Sequence, residues 1–267
     1  MSTLGRELTL RNFTTPALTR STMRILLSLL TILSATSIAA ADGPKKLILL
    51  HQKPDGHPPT THEYVAGQKI LQKLLADVKG LETTLVAADE PWTEGPELLA
   101  KADGVVAFVS EGAKWLSADA KRLAAFQALA KRGGGLSVLH WGMGAKDEKN
   151  TAAFVDLFGG CHGGPNRKYK VLKTAATLPN PKHAIALGLK PFEARDEFYY
   201  KLHFAKGAEP MLNVDIDGKS ETVAWAWQRP DGGRSFGFSG FHFHENWNSD
   251  EYRRLTVQGV LWSMRLP

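Results

Sequence analysis

The sequence predicts an α/β protein with a doubly wound, mainly parallel sheet and additional β segments in its C-terminal half. Short runs that are apolar throughout recur along the first half of the chain, for example GVVAFV at 104–109. Strands that are buried on both faces of a parallel sheet have this pattern. Segments with apolar residues at helical spacing separate these runs, which is the alternation expected of βα units.

Four strands and two main helices are predicted in the first half. One helix follows Thr61, a suitable N-cap, and its apolar face extends to residue 75. The other begins at Ser117 and ends at Arg132, where basic residues favour a helix C-terminus. A loop with a short helix is predicted over 91–99. The strands are 45–51, 81–86, 104–109 and 136–139, and the last of them ends at His140.

Turn signals divide the second half into short β segments. Asp217-Gly218 and Asp231-Gly232-Gly233 are typical of hairpin turns. A closing helix is predicted over 250–264 from its apolar spacing. No repeat or low-complexity linker interrupts the chain, so 45–267 is predicted to be one domain. The β segments are 169–172, 198–204, 211–216, 222–227 and 235–239.

The N-terminus has the pattern of a secretory signal peptide. Arg20 and Arg24 precede an apolar run over 25–33, and small residues with an Ala-x-Ala site follow. We therefore expect residues 1–41 to be removed, with cleavage after Ala39 or Ala41, and Met23 is a plausible true start. The apolar run is shorter than a typical transmembrane helix, so no stable membrane insertion is expected after cleavage. The expected location is periplasmic or extracellular.

Charge and cysteine content exclude several classes of protein. Without residues 1–41, which hold four Arg and one Glu, 29 basic and 26 acidic residues remain. Such a mild balance without a basic block does not indicate a nucleic-acid partner. With Cys161 as the single cysteine, no internal disulfide can form. GGCHGG lacks the strand-to-helix setting of a nucleophile, so Cys161 is predicted to be a buried or loop thiol.

Known cofactor and nucleophile motifs are missing from the sequence. There is no GxGxxG for a nicotinamide cofactor, no GxxxxGK[ST] phosphate loop and no GxSxG elbow. No HExxH or paired-cysteine motif indicates a metal site either, so no metal ligand is assigned. The cofactor is left unknown, with a divalent metal as a candidate, and homo-oligomer formation is left open.

Polar residues concentrate in four predicted loops, which suggests that these loops share one site. The loops hold residues 55–63, residue 140, residues 193–200 and residues 240–247. The carboxyl ends of parallel strands lie at one rim of a sheet, where ligands bind. Loops after the first and fourth strands would therefore bring His62 and His140 together. Gly142 and Gly144 are expected to give the turn after His140 its backbone freedom. The alternative is that His140 has only a structural role at the end of its strand.

Neutral imidazoles beside carboxylates suit proton transfer near neutral pH, and they also suit a divalent metal. In an extended segment His242 and His244 point to opposite sides, so at most one faces the cleft. Asp196-Glu197 has the alternative of being a solvated charge pair. The predicted substrate-binding residues are Asp55, His57, Glu63, Trp141, Tyr199, His244 and Trp247.

Several short motifs occur in an order that points to a family. They are Thr61-His62-Glu63-Tyr64 with Gly67, Gly134-Gly135-Leu136 leading to Leu139-His140, Phe158-Gly159-Gly160, His183 with Gly188-Leu189, Asp196-Glu197-Phe198-Tyr199, Val223-Ala224-Trp225, Gly233-Arg234-Ser235-Phe236, Gly240-Phe241-His242 and Gly259-Val260-Leu261-Trp262. With these motifs, 45–267 resembles the ThuA-like (trehalose utilisation) domain proteins. The resemblance implies a flavodoxin-related fold of the class I glutamine amidotransferase type.

The resemblance also implies a chemistry and excludes another. In amidotransferases the elbow carries a nucleophilic cysteine, whereas this chain has His140 there, so thiolate-dependent glutamine hydrolysis is excluded. The family is associated with disaccharide catabolism and 3-keto-sugar routes. His62, His140, Glu197 and His242 match family motif positions and are therefore the predicted catalytic residues, although Gly240-Phe241-His242 departs from the usual Gly-His.

Two functions of different class follow from the resemblance and the residues. The first is an exported enzyme acting on a sugar or 3-keto-sugar, with His140 as base, Glu197 or His242 as acid and a metal to polarise the carbonyl. Its reaction class stays open between lyase, isomerase and hydrolase. The alternative is a non-catalytic carbohydrate-binding protein, in which Trp141, Trp247 and Tyr199-Tyr200 stack on sugar rings. A glycosidase is a third option, but Glu197 has no partner carboxylate at a recognisable spacing.

Overall fold

Strands occupy most of the predicted β positions in the computed structural model, which describes residues 43–267. Residues 43–267 form one compact unit. The predicted signal peptide lies outside the described residues. The strands are β1 (Lys45–His51), β2 (Leu81–Ala87), β3 (Gly104–Phe108), β4 (Gly135–Leu139), β5 (Gly144–Ala145), β6 (Gly160–Gly163), β7 (Lys168–Thr177), β8 (Phe192–Tyr200), β9 (His203–Phe204), β10 (Glu209–Ile216), β11 (Lys219–Gln228) and β12 (Arg234–Phe238).

Nine of these strands form a mixed sheet in the order β2-β1-β3-β4-β12-β11-β10-β7-β8. The first four neighbouring pairs are parallel and the remaining four are antiparallel. The α/β class is therefore confirmed, but the sheet is mainly parallel only in the half built from the fully apolar runs. Hairpins at Asp217-Gly218 and 231–233 link β10 to β11 and β11 to β12, as their turn residues predict.

Six helices lie in the described part of the chain. α1 begins at Tyr64 without a side-chain cap, because Thr61 pairs with Phe243 in a β-bridge and does not reach the helix. The helix predicted over 117–132 begins at Ala120, because the Asp119 carboxylate caps it by accepting from Arg122 N, and Ser117 instead ends a separate short helix. The helices are α1 (Tyr64–Leu75), α2 (Gly95–Ala100), α3 (Gly112–Ser117), α4 (Ala120–Lys131), α5 (Thr151–Phe158) and α6 (Asp250–Ser263).

The parallel half of the sheet is covered by helices on both faces. Alternate residues of β1 enter different cores: Leu49 packs with residues of α1 and α6, whereas Leu50 packs with residues of α2, α4 and α5. Successive side chains of a strand point to opposite faces of the sheet. Because both faces of these strands are buried, neighbouring residues enter different cores. Cys161 lies fully inside one core, where burial raises the pKa of its thiol to about 12. Of the predicted alternatives, a buried or a loop thiol, this environment is that of a buried thiol.

Loops that follow β1, β3, β4 and β12 meet at the carboxyl edge of the parallel half. Asp55 and His62 come from the loop after β1, and Ser110 follows β3. His140 is the residue directly after β4, and His242 comes four residues after β12 ends. Across residues 43–267, no helix is both long and apolar enough to span a bilayer.

Candidate functional site

Three histidine nitrogens converge at this edge. His62 Nε2 lies 3.0 Å from His140 Nε2 and 3.0 Å from His242 Nδ1, and the last two atoms are 3.3 Å apart. The Glu197 carboxylate approaches the same point, with Oε1 at 3.6 Å from His242 Nδ1. One ligand atom from each of the four residues lies within 4.8 Å of all the others. His62, His140, Glu197 and His242 are called the histidine–glutamate cluster below.

His140 is held in the cluster by a strained turn. It has a φ of 45°, in the left-handed region that non-glycine residues rarely adopt, and a short 3₁₀ turn over His140–Met143 follows. Nδ1 of His140 lies 2.7 Å from the Ser239 carbonyl oxygen, which can only accept a hydrogen bond, so Nδ1 carries the proton. His140 has no exposed surface, and burial lowers its pKa well below the ordinary value.

Gly142 and Gly144 have a different role in this turn from the one that the sequence predicts. Neither has a positive φ, so backbone freedom is not what they supply. A Cβ on Gly142 would lie 2.8 Å from the Ala107 carbonyl oxygen, and one on Gly144 would lie 2.0 Å from the Trp141 ring. These glycines are therefore required for close packing around the turn that carries His140.

Asp55 orients His62 from the outer side of the cluster. Its Oδ2 lies 3.0 Å from His62 Nδ1 and also accepts the Tyr64 and Ser110 hydroxyls at 2.6 and 3.0 Å. Burial alone would raise the pKa of the Asp55 carboxyl, but hydrogen bonds from His62, Tyr64 and His57 hold it below its usual range. The ionised carboxylate makes Nδ1 of His62 the protonated nitrogen. Both Asp55 oxygens are occupied by protein groups, so the residue positions His62 and is not free to bind substrate.

Asp196 holds the backbone turn that carries His242. It is fully buried and accepts hydrogen bonds from the backbone N–H groups of Phe241 and His242 at 2.7 and 3.1 Å. Phe241 has a φ of 79°, so these bonds hold a strained turn. Burial raises the pKa of Asp196 to about 7, and the backbone hydrogen bonds oppose that rise. Asp196 is thus a structural acceptor, not a member of a solvated charge pair.

Glu197 and Tyr199 reach the cluster from β8, a strand that sequence patterns placed partly in a loop. Residues 193–197 alternate between buried and more exposed positions, which is the strand period that the sequence analysis missed. Tyr199 stacks on the His140 ring at 4.6 Å, and its hydroxyl lies 3.0 Å from His140 Nε2. Burial raises the pKa of the Glu197 carboxyl, and it raises the Tyr199 pKa well above its ordinary value.

The tautomers of His62 and His140 place the lone pairs of their two Nε2 atoms opposite each other. Because Nδ1 of His62 and Nδ1 of His140 are committed as donors, both Nε2 atoms present lone pairs across a gap of 3.0 Å. Such lone pairs are satisfied either by donors, and the Tyr199 hydroxyl and His242 Nδ1 lie 3.0 Å from His140 Nε2 and His62 Nε2 respectively, or by a cation bound between the rings. A proton is disfavoured, since burial lowers the pKa of both rings. In tetrahedral metal sites with metal–nitrogen distances of 2.0–2.1 Å, the ligand nitrogens are about 3.3 Å apart, close to the separations found here.

A pocket of about 210 Å³ opens beside the cluster. Of the predicted substrate-binding residues, His57, Trp141 and Tyr199 line it. Glu63 instead accepts from Thr60 N, Trp247 stacks on Phe241 in the core, and His244 does not line the pocket. The residues that sequence patterns did not single out as pocket residues are Lys146, His162, Arg167 and Tyr169.

His162 provides a pH-dependent contribution to stability. Burial, followed by the charge of Arg167, lowers its pKa from 6.5 to about 3. The unfolded chain takes up a proton below pH 6.5 that the folded chain does not, so stability is lost as the pH falls below 6.5. In His162→Gln we expect the loss between pH 7 and pH 5 to be smaller than in the wild type by about 2 kcal/mol.

Urea unfolding followed by circular dichroism at both pH values measures this difference. The comparison variant is His203→Gln: His203 is exposed and adds to the lowering of the His162 pKa only after burial and Arg167, so most of the pH-dependent loss should remain. An equal loss of stability in the wild type and in His162→Gln would show that His162 is not buried in its neutral form.

Comparisons with known proteins give a family model and a set of similar folds. The ThuA model, described as trehalose utilisation, matches residues 50–263. A putative ThuA-like protein from Bacteroides uniformis ATCC 8492 has a TM-score of 0.63 at 16% identity, covering 84% of this chain and 93% of that chain. One from Parabacteroides merdae ATCC 43184 has a TM-score of 0.63 at 14% identity, covering 83% and 90%.

A more distant likeness is to the β-galactosidase of Rahnella sp. R3, with a TM-score of 0.54 at 12% identity. It covers 84% of this chain but only 32% of that chain. No curated protein matches the chain. At these identities the solved structures show a shared fold, and they leave the chemistry to be argued from the site.

Proposed function

Because the chain belongs to the trehalose utilisation (ThuA) family, we propose that it acts in carbohydrate catabolism, as a metal-assisted acid–base enzyme on a sugar or 3-keto-sugar. The observation that carries this proposal is the 3.0 Å approach of His62 Nε2 and His140 Nε2 with both lone pairs facing inward. Three imidazole nitrogens form a ligand set that suits first-row divalent metals and leaves a coordination position open to substrate, with the Glu197 carboxylate beside it.

The outer contacts of the cluster support a metal site. Metal-binding histidines almost always donate their second ring N–H to a carboxylate or a backbone carbonyl, which fixes the tautomer and the ring orientation. His62 donates to Asp55 and His140 donates to the Ser239 carbonyl. A metal bound there supplies Lewis acidity toward a substrate oxygen.

The burial of His140 changes the role proposed for it from the sequence. A base must reach its proton within hydrogen-bond distance, and the ring of His140 has no exposed surface. We therefore assign His140 to metal binding and give the base role to Glu197, which lines the pocket and whose pKa is raised by burial. Tyr199 also lines the pocket and stays protonated, so it can donate a hydrogen bond to a substrate oxygen.

Pocket size limits how much of a sugar can enter. Sites for drug-sized ligands enclose roughly 300–1,000 Å³, and this pocket encloses about 210 Å³. We propose that one ring of the substrate lies in the pocket with its carbonyl toward the cluster. A base beside that carbonyl removes a proton from the adjacent carbon, which allows elimination or isomerisation without a covalent nucleophile.

Metal-dependent turnover of a 3-keto-disaccharide by the purified protein tests the proposal. The matched variant is Asp55→Asn, which keeps all four cluster residues but weakens the support of His62. We expect about one metal ion per wild-type chain, and a loss of metal affinity of about 10–100-fold in the variant. Excess metal should restore the activity of Asp55→Asn.

Two results would contradict the assignment. One is turnover by metal-depleted wild type at the rate of the loaded protein. The other is activity of Asp55→Asn that does not depend on metal concentration. His203→Gln, at an exposed site outside the pocket, should behave as the wild type in both assays.

We also propose that the protein is exported, on the pattern of residues 1–41 alone. Expression of the full chain in a bacterial host with fractionation should place it outside the cytoplasm. The mass of the recovered protein should correspond to cleavage after Ala39 or Ala41. Recovery of the uncleaved chain in the cytoplasm would contradict export.

A further inference from the structure

Two cations line the same pocket as Glu197. Lys146 and Arg167 both contribute to its wall, and neither forms an ion pair with a carboxylate among residues 43–267. The hydrogen bond recorded for the Arg167 guanidinium is from Nη1 to the Gly164 carbonyl oxygen at 3.2 Å. Most of its donors are therefore free to bind a ligand.

The small sheet places these cations side by side. Lys146 directly follows β5, and Arg167 lies between β6 and β7. β5 and β6 pair in parallel, and Gly164 N donates to the Ala145 carbonyl at 3.1 Å, so the segments leaving both strands are tied together. The cations thus lie on a supported wall of the pocket and not on separate flexible loops.

The charges of the pocket favour an anionic ligand. Lys146 and Arg167 outnumber the single carboxylate, Glu197, among the lining residues. His162 beside them is 2% exposed and stays neutral, because burial and the charge of Arg167 lower its pKa to about 3. Its buried Nδ1 has no hydrogen-bond partner in the described part of the chain. A divalent metal at the cluster would add further positive charge.

An aromatic ring lies at the same wall. Tyr169 is 60% exposed and lines the pocket, whereas Trp141, Tyr199 and Trp247 are all at most 9% exposed. Among the tryptophan and tyrosine residues that line the pocket, Tyr169 is therefore the most accessible for stacking. An exposed tyrosine beside two free cations suits a ring that carries a negative substituent.

We propose that the pocket selects sugars with an anionic substituent, a carboxylate or a phosphate, which Lys146 and Arg167 bind while the ring lies toward the histidine–glutamate cluster. This inference rests on the proposed function, because it takes the ligand to be a sugar. Arg binds both anions through parallel hydrogen bonds, and Lys adds a point charge. The substrate class becomes a sugar acid or sugar phosphate instead of a neutral sugar.

Calorimetric titration of the full chain with three ligands tests the inference: methyl glucuronide, glucose 6-phosphate and methyl glucoside. We expect at least one anionic ligand to bind about tenfold tighter than methyl glucoside, the effect of one charge-assisted contact. Preference for methyl glucuronide assigns a carboxylate, and preference for glucose 6-phosphate assigns a phosphate. In the double variant Lys146→Met, Arg167→Met, the ratio should fall to about one.

The matched control is Lys149→Met on the same surface, because the Lys149 ammonium pairs with Asp147 at 2.9 Å and lies outside the pocket lining. It should keep the wild-type preference. Metal content and thermal unfolding verify that each variant is folded. Equal affinity for neutral and anionic sugars, or a preference that survives the double substitution, would overturn the inference alone. Absence of binding by all three ligands to folded protein would also overturn the inference, whereas the proposed function is decided separately by metal-dependent turnover of the 3-keto-disaccharide.

Discussion

Substitution of His140 by alanine is expected to abolish stoichiometric metal binding. Removal of an outer-shell partner typically costs 10–100-fold in metal affinity, and loss of a ligand itself should cost more than about 100-fold. His140 Nε2 lies 3.0 Å from His62 Nε2 and 3.0 Å from the Tyr199 hydroxyl, at the centre of the cluster. No other described side chain occupies that position after the strained turn.

Thermal unfolding with and without added metal measures this effect and also verifies folding. A ligand at 1,000 times its dissociation constant stabilises the folded state by about 4 kcal/mol. We therefore expect metal to raise the unfolding temperature of the wild type and to leave that of His140→Ala unchanged. His203→Ala, at an exposed site, should keep the metal-dependent rise. A full metal complement in folded His140→Ala would rule out the proposed ligand set.

Asp196→Ala is expected to destabilise the fold by about 3 kcal/mol or more. The substitution leaves the N–H groups of Phe241 and His242 without their acceptor, and each unsatisfied buried donor costs roughly 1–3 kcal/mol. It also removes the bonds that hold Phe241 at its φ of 79°. The turn should relax, so His242 moves away from the cluster and metal affinity falls as well.

Urea unfolding and metal titration of Asp196→Ala test both parts of this expectation. Asp196→Asn should be intermediate, because its amide keeps one acceptor oxygen. Asp77→Ala is the control, since Asp77 is an exposed aspartate in the turn after α1. A loss of stability below about 1 kcal/mol for Asp196→Ala would show that the turn does not depend on this carboxylate.

Local sequence patterns were sufficient to predict most of the helices and strands and part of the site. Runs that are apolar throughout gave the central parallel strands, and Asp-Gly and Gly-Gly turns gave the hairpins of the second half. His62 and His140 were expected to meet because the carboxyl ends of parallel strands share one rim, and their Nε2 atoms lie 3.0 Å apart. That argument needs only strand order and direction.

The supporting residues could not be found in the same way. Asp196 resembles a surface charge in sequence, since nothing local shows that backbone N–H groups from residues 241 and 242 will bury it. Lys146 and Arg167 follow short strands that have too few residues for a periodic signal. Nothing local shows that His140 is buried either, because its burial depends on packing from other parts of the chain.

By itself, the sequence determined the α/β class, the hairpins and the approach of two histidines, because hydrophobic period and turn chemistry act over a few neighbouring residues. Glu197 and Tyr199 were assigned to the same site, but only the tertiary structure shows how they reach the histidines. β8 lies five strand spacings from β4, which in a flat sheet would be about 24 Å. Tyr199 nevertheless stacks on His140 at 4.6 Å, so the antiparallel half curls back over the rim. Sheet twist and the packing of distant strands set that curvature, and no local pattern encodes it.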